Sequence, residues 1–280
     1  MKVLKSIKET REYCFTKQKE GLSIGLVPTM GALHEGHLSL IEYSKKDKNI
    51  TIASIFVNPI QFNNVNDLSK YPRTIEKDLE LLKKSGCDAV FTPNENEMYH
   101  TKPLISFDFG NLESVMEGTF RPGHFSGVGV VVAKLFNIIR PNHAYFGQKD
   151  LQQFLVIQQM VNDLSFPVLL HCCPIIREPD GLAMSSRNVR LTPQNRPLAA
   201  KIYESLQIAE GMIQKEGIEK TKESVINFLS QYKELKLEYF EVSDSQTLEP
   251  LIDVFYKKKI ALCTCVFIDN VRLIDNLIIA

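Results

Sequence analysis

Ser23-Ile24-Gly25-Leu26-Val27-Pro28-Thr29-Met30-Gly31-Ala32-Leu33-His34-Glu35-Gly36-His37 is the stretch that decides the fold. Its opening is a short apolar run closed by a proline, which predicts a strand over Ser23–Pro28. Gly31 breaks the extended backbone, and from His34 to about Lys45 apolar residues return at helical spacing. A strand that hands over to a helix within a few residues is the opening half of a βαβ unit. The same alternation recurs on the C-terminal side. Ile50–Val57 is β-branched and closed by Asn58-Pro59, Ile75–Lys84 is a helix that stops at Ser85-Gly86, and Asp88–Thr92 is a strand closed by Pro93. Val128–Ile139 is too long for a typical strand and predicts a buried helix. Ala144–Phe146 and Val168–Cys173 predict strands on either side of a helix over Asp150–Leu164. The pattern is that of a parallel sheet in an α/β domain.

After about residue 190 the texture changes. Pro193 opens a helical stretch to about Gly217, and a second helix covers roughly Ile218–Tyr232. Strand-like runs follow at Leu237–Val242, Ile260–Asp269 and Val271–Ile274. These predict a smaller α+β domain beginning in the Gly181–Arg190 loop, so the expected division is 1–182 and 183–280.

Composition excludes several classes. Lys plus Arg equals Asp plus Glu at 33 each, so no global field draws nucleic acid or an anionic membrane. A polyanionic ligand must be met by local donors. The run MKVLKSIKETREYC lacks the apolar centre of a signal peptide, and the longest apolar stretch, around Val128–Ala133, is far short of a bilayer span. Cysteines at 14, 87, 172, 173, 263 and 265 form no CxxC pair, and Cys263 and Cys265 fall on one side of an apparent strand. They read as reduced core residues, which places the chain in a reducing compartment, expected to be the cytoplasm.

The opening stretch also carries the first chemistry. Gly31 permits close backbone approach, and Gly36 lets a bulky group lie on the first helical turn. His34 and His37 share one face of that turn. Two imidazoles beside unpaired backbone N–H groups at a helix's positive end suit a triphosphate. Two satisfied structural histidines are the plain alternative; a metal site lacks a nearby third ligand. Gly147-Gln148-Lys149-Asp150-Leu151-Gln152-Gln153 lies past another strand, with Lys149 a point charge for phosphate, Asp150 an acceptor for ribose hydroxyls, and Gln153 a two-way amide. Met184-Ser185-Ser186-Arg187, after the Pro179-Asp180-Gly181 turn, offers hydroxyls and a guanidinium on a mobile polar loop. Asn58 and Gln61, among apolar neighbours, suit orientation of a small hydroxylated substrate. Arg121 and His124 precede the apolar helix and read equally as structural or functional, and Asp78 reads as a surface-helix residue or a distant metal-supporting group.

Taken in order, the PTMGALHEGH run, FVNPIQF, YPRT at Tyr71–Thr74, RPGHFSGV, FGQKDLQQ and REPDGLAMSSRN closely resemble the pantothenate synthetase family. The resemblance implies a Rossmann-like nucleotidyltransferase domain, with HxGH matching that superfamily's phosphate-binding motif. It implies an ATP-dependent ligase joining pantoate to β-alanine through an acyl-adenylate. Carried over residue by residue, it implies ATP contacts from Met30, Gly31, Ala32, Leu33, His34, Glu35, Gly36 and His37, with His37 the proton donor or transition-state stabiliser. Gly147, Gln148, Lys149, Asp150, Ile176, Met184, Ser185, Ser186 and Arg187 complete the implied ATP site. Gln61 and Gln153 match the pantoate-binding glutamines, and Met30 and Asn58 join that wall. Magnesium with ATP and a homodimer are implied, without nameable metal ligands or interface. The family commonly reads Met-Tyr-Pro where this chain has Met98-Tyr99-His100. Two other readings stand beside this one: a nucleotidyltransferase that moves a nucleotide to a phosphate, and a non-catalytic nucleotide-binding regulator.

Overall fold

A computed structural model describes residues 1–254 and 259–279. Its contacts divide the chain into two compact units, Met1–Gly147 with Val156–Pro174, and Gln148–Leu155 with Ile175–Ala280.

The first unit alternates strands and helices: β1 (Lys2–Leu4), α1 (Ile7–Lys19), β2 (Ile24–Thr29), α2 (Glu35–Lys46), β3 (Ile50–Ile55), α3 (Val65–Ser69), α4 (Ile75–Lys84), β4 (Ala89–Phe91), α5 (Glu95–Met98), α6 (Glu117–Phe120), α7 (His124–Ile139), β5 (His143–Gly147), α8 (Leu151–Asp163), whose first residues up to Leu155 belong to the second unit, and β6 (Leu169–Cys173). The sheet order is β1-β4-β3-β2-β5-β6, and every pairing is parallel. Such sheets are covered on both faces, and Ile24, Leu26, Ile52, Ala53, Ala89, Val90 and Phe91 are accordingly buried. One side of the sheet packs Leu40 and Ile41 of α2 and Leu82 of α4 against Val27, Ala53 and Val90. From β2 the chain builds outward to β3 and β4 on one side, then returns to place β5 and β6 on the other. That reversal makes β2 and β5 the switch point of the sheet, and open α/β sheets receive ligands beyond the carboxyl ends of the strands at such a point.

The two N-terminal elements are additions to the expected list. Ser6 Oγ accepts from Glu9 N at 3.2 Å while Glu9 Oε2 accepts from Ser6 N at 3.1 Å, a reciprocal capping box that starts α1. The Ser6-x-x-Glu9 spacing carries that signal in the sequence. β1 is too short to announce itself, and it holds its place through backbone pairing with β4 and burial of Leu4. Helix α7 begins four residues before the expected Val128. Its early turns pass so close to the Asn58–Gln61 segment that a Cβ on Gly127 would lie 2.6 Å from Ile60 O.

In the second unit, α9 (Lys201–Ser230) is interrupted at Gly217, whose φ of 78° and ψ of 179° separate two helical halves where the sequence placed that break. Strands β7 (Lys236–Asp244), β8 (Ile260–Ile268) and β9 (Val271–Ile279) form an antiparallel sheet in that order. Leu206, Ala209, Ile213, Val225 and Leu229 of α9 share a core with Phe240, Val242, Leu262, Val266 and Leu273. Each large side chain in that core contributes about 1.5–3 kcal/mol by leaving water. β9 continues five residues past the expected Ile274. The polar pair Asp275-Asn276 breaks the apolar pattern, yet both residues are buried and partnered. Those partners, Arg177 and the Gln148–Lys149 backbone, are in the second unit. The contact division therefore falls at 174/175 and takes in 148–155, whereas the sequence placed a single boundary at 182/183.

Candidate active site

At the end of β2, Thr29 Oγ1 donates to Ser54 O at 2.8 Å and accepts from Gly31 N at 3.2 Å, which ties the turn to β3. Gly31 has φ +83° and Ala32 φ +50°, so the chain reverses through two left-handed residues. The second would cost roughly 1–2 kcal/mol for an alanine. Asp78 compensates. Its carboxylate accepts Ala32 N–H at 2.9 Å, Leu33 N–H at 2.8 Å and Thr74 Oγ1–H at 3.1 Å, and the side chain is 1% exposed. Asp78 is therefore not a surface-helix residue. It is the buried brace of the turn.

His34 caps α2. Its Nδ1 accepts Gly36 N–H at 3.2 Å, and His37 Nδ1 accepts His34 N–H at a long 3.4 Å. The two rings lie 4.1 Å apart, tilted by 48°. With each Nδ1 accepting a backbone proton, a neutral ring carries its own proton on Nε2. The two imidazoles thus sit at the positive end of α2, each with Nδ1 turned to the backbone of the turn. Glu35 is exposed, and Met30, Ala32, Gly36 and His37 are half-buried.

A hydrogen-bonded network supports the neighbouring Gln61. Asn58 Nδ2 donates to Gln61 Oε1 at 3.0 Å and to Gly127 O at 3.2 Å, while Asn58 Oδ1 accepts Tyr99 O–H at 2.9 Å. Gln61 Nε2 points to Met30 Sδ at 3.3 Å, and His124 Nδ1 lies 2.8 Å from Gln61 O. Asn58 and Gln61 are both buried, at 1% and 6% exposed, and their amides engage each other and the protein around them. His124 is likewise a buried brace, and Arg121 approaches Glu117 at 3.7 Å. Met98 and Tyr99 are core residues, whereas His100 is exposed. Tyr99 is the residue here that the sequence did not single out; its hydroxyl is what reaches Asn58.

Within the second unit, Lys149 Nζ lies 3.3 Å from Asp150 Oδ1, and Gln153 is half-buried on the first turn of α8. Ile176 O accepts Met184 N–H at 3.0 Å and Arg177 pairs with Ala183, so residues 176–184 form a hairpin. Its tip is fixed by Arg196, which reaches Asp180 Oδ2 at 2.6 Å and holds that carboxyl below its ordinary range. Ser185 Oγ accepts Arg187 N–H at 3.2 Å, and Asn188 Nδ2 donates to Ala183 O at 3.1 Å. Ser185, Ser186 and Arg187 thus sit on a turn tied by these two bonds. The sequence also missed Asn276, whose Nδ2 donates to Gln148 O at 2.9 Å and Lys149 O at 3.0 Å. Among the described residues no group of three or more His, Cys, Asp or Glu is placed to hold a metal ion. Cys172 is exposed on β6, while the other five cysteines are buried.

An open parallel sheet whose order reverses at β2, with an HxGH turn at that strand's end, defines a Rossmann-like α/β protein. The family described as pantoate-beta-alanine ligase matches residues 2–278. A pantothenate synthetase of Cytophaga hutchinsonii is 47% identical over 98% of both chains, and one of Christiangramia forsetii is 51% identical over 93% of both. The solved pantothenate synthetase of Thermus thermophilus superposes with a TM-score of 0.90 at 38% identity, covering 99% of each chain. The pantoate-beta-alanine ligase of Francisella tularensis, solved in complex with beta-gamma ATP and beta-alanine, gives 0.81 at 34% identity over 99% of this chain and 97% of that one. The chain belongs to the pantoate–β-alanine ligase family.

Proposed function

We propose that this chain condenses pantoate with β-alanine at the expense of ATP, releasing AMP and pyrophosphate through a pantoyl-adenylate intermediate. The observation that carries the reading is the braced HxGH turn at the sheet's switch point, in a chain that matches the family along nearly its whole length. The Francisella relative's complex supports ATP and β-alanine as ligands.

A pantoate carboxylate oxygen attacks the α-phosphorus, the bond to the bridging oxygen of the β-phosphate breaks, and pyrophosphate leaves. The carboxylate is already ionised, so the protein's task is positioning and charge stabilisation rather than activation of a nucleophile. His34 and His37 donate Nε2–H to phosphoryl oxygens as negative charge builds, with His37 the principal donor. The backbone of Met30, Gly31, Ala32 and Leu33, with Glu35 and Gly36, lies along the nucleotide. Lys149, Ser185, Ser186 and Arg187 are assigned to the phosphates, and Gly147, Gln148, Asp150, Ile176 and Met184 to the rest of ATP. Gln61 and Gln153 hold pantoate beside Met30, with Gln61 also at the β-alanine entry; Asn58 acts through Gln61. The neutral amine of β-alanine then attacks the acyl carbon, AMP departs, and the amine loses its proton to solvent. Magnesium bound with ATP would be coordinated mainly by phosphates and water and would offset phosphate charge. The C-terminal domain, expected at 183–280, serves as the lid that keeps water from the mixed anhydride. A cytoplasmic homodimer that binds neither nucleic acid nor membrane completes the proposal. No helix among the described residues is long and apolar enough to cross a membrane.

Product analysis tests the reaction. With ATP, magnesium, pantoate and β-alanine, AMP and the pantoate–β-alanine amide should accumulate in equal amounts. A dinucleotide-like product without amide would overturn the proposal in favour of a nucleotidyltransferase.

A further inference from the structure

Two consecutive residues of β9, Asp275 and Asn276, are each 3% exposed in a strand that otherwise reads Leu-Ile-x-x-Leu-Ile. Adjacent strand residues point to opposite faces, so both faces of β9 carry a buried polar group here. Buried polar groups persist where they are partnered, and these partners are specific. Asp275 takes Arg177 in a two-pronged ion pair, NH1 to Oδ2 at 2.6 Å and NH2 to Oδ1 at 3.0 Å. Arg177 also donates to Gly181 O at 3.0 Å and stacks 3.7 Å over the Tyr203 ring, which fixes the hairpin running from Ile176 to Met184. Asn276 uses both amide protons on consecutive carbonyls, Gln148 O and Lys149 O, and its Oδ1 accepts Gln148 Nε2–H at 3.1 Å.

We propose that Asp275 and Asn276 are positioning residues for ATP, holding the Gln148–Asp150 turn and the Ile176–Met184 hairpin in fixed register from one strand. The proposal rests on the reading above that these two segments handle ATP. Neither residue contacts the reacting atoms; each acts through a segment that does. The amide of Asn276 is chemically required. Aspartate has the same shape but would turn a carboxylate oxygen toward two carbonyl oxygens, and leucine would withdraw both donors from those carbonyls. Arg177 likewise cannot be exchanged for lysine without losing the two-pronged geometry.

The test compares the full-length wild type with Asn276→Asp and, as a smaller change that keeps one donor, Asn276→Ser. Binding of a non-cleavable α,β-methylene ATP analogue with magnesium is measured by calorimetry, and KM values for ATP and pantoate by steady-state kinetics. The expected result for the folded variants is a nucleotide affinity about tenfold or more weaker, since misplacement on the order of 1 Å carries penalties up to about a hundredfold. KM for ATP should rise in parallel while KM for pantoate stays within about twofold. Asn276→Ser should fall between Asn276→Asp and the wild type. Unchanged analogue affinity in either folded variant, or equal rises in both KM values, overturns the proposal, as does unfolding of both variants, which would mark a purely structural role. Analogue binding needs no pantoate, so a wild type that binds the analogue but ignores pantoate would sink the reaction assignment alone. A wild type that does not bind the analogue would sink both.

Discussion

Replacing Asp78 by asparagine alters one atom of a buried side chain and should disable the turn that carries the two histidines. The carboxylate accepts the N–H groups of Ala32 and Leu33 on separate oxygens, at 2.9 and 2.8 Å. Charge-assisted bonds of this kind contribute about 1.5–3 kcal/mol each, and a neutral one about 0.5–1.5. In Asp78→Asn one N–H faces an amide NH2 and loses its acceptor, while the other keeps a neutral oxygen. The net loss is about 2–4 kcal/mol. What remains is comparable to the roughly 1–2 kcal/mol cost of holding Ala32 at φ +50°. The turn then has no margin, and His34 and His37 lose their fixed position. Thermal unfolding should show a fall in Tm of roughly 5–10 °C. Pantoate-dependent pyrophosphate release should fall about a hundredfold at saturating ATP. A folded Asp78→Asn enzyme with wild-type Tm and wild-type release would refute the idea that this carboxylate holds the turn.

His37→Ala should lower pyrophosphate release by about 10²–10³-fold, the usual effect of removing one donor to developing charge, with Tm within a few degrees of wild type; near-normal release would remove His37 from its role. Tyr99→Phe deletes the hydroxyl that holds Asn58 at 2.9 Å, so stability should fall by about 1 kcal/mol and KM for pantoate should rise while KM for ATP does not; equal changes in both would count against a Tyr99–Asn58–Gln61 relay. The Asp180–Arg196 pair predicts a pH effect. Arg196 depresses the folded carboxyl pKa, so the pair's stability is present above the unfolded carboxyl value of about 3.9 and disappears as pH falls through the lower folded value. The Tm difference between wild type and Arg196→Ala should be small at pH 7, because the pair is partly exposed, and should vanish in strong acid; a difference that grows on acidification would contradict it.

Much of the parallel sheet was legible because its strands are continuous apolar runs punctuated by Pro93, Asn58-Pro59 and Ser85-Gly86. The Gly217 break was legible for the same reason: glycine is where a helix can change direction. Strand β9 was cut short because a periodicity argument treats Asp275-Asn276 as a terminus, whereas Arg177, nearly a hundred residues away, makes that pair an interior feature. The capping box at Ser6 and Glu9 was present in the sequence but weak beside a three-residue strand that needs β4 to exist. The histidine turn could be read locally, since strand end, glycines and helix start are neighbours. Its support could not be read that way. Asp78, Tyr99, His124 and Asn276 act across long sequence separations, and nothing near them announces the atom each one holds.

In the adenylate route, pantoate's own carboxylate attacks ATP before β-alanine takes part. Pyrophosphate release from ATP and magnesium, measured with pantoate while β-alanine is first withheld and then added, tests it directly. The expected result is a pantoate-dependent burst near one equivalent per active site that becomes continuous turnover, with AMP formed, once β-alanine is present. Release that needs no pantoate, or none until β-alanine is added, would contradict the adenylate route.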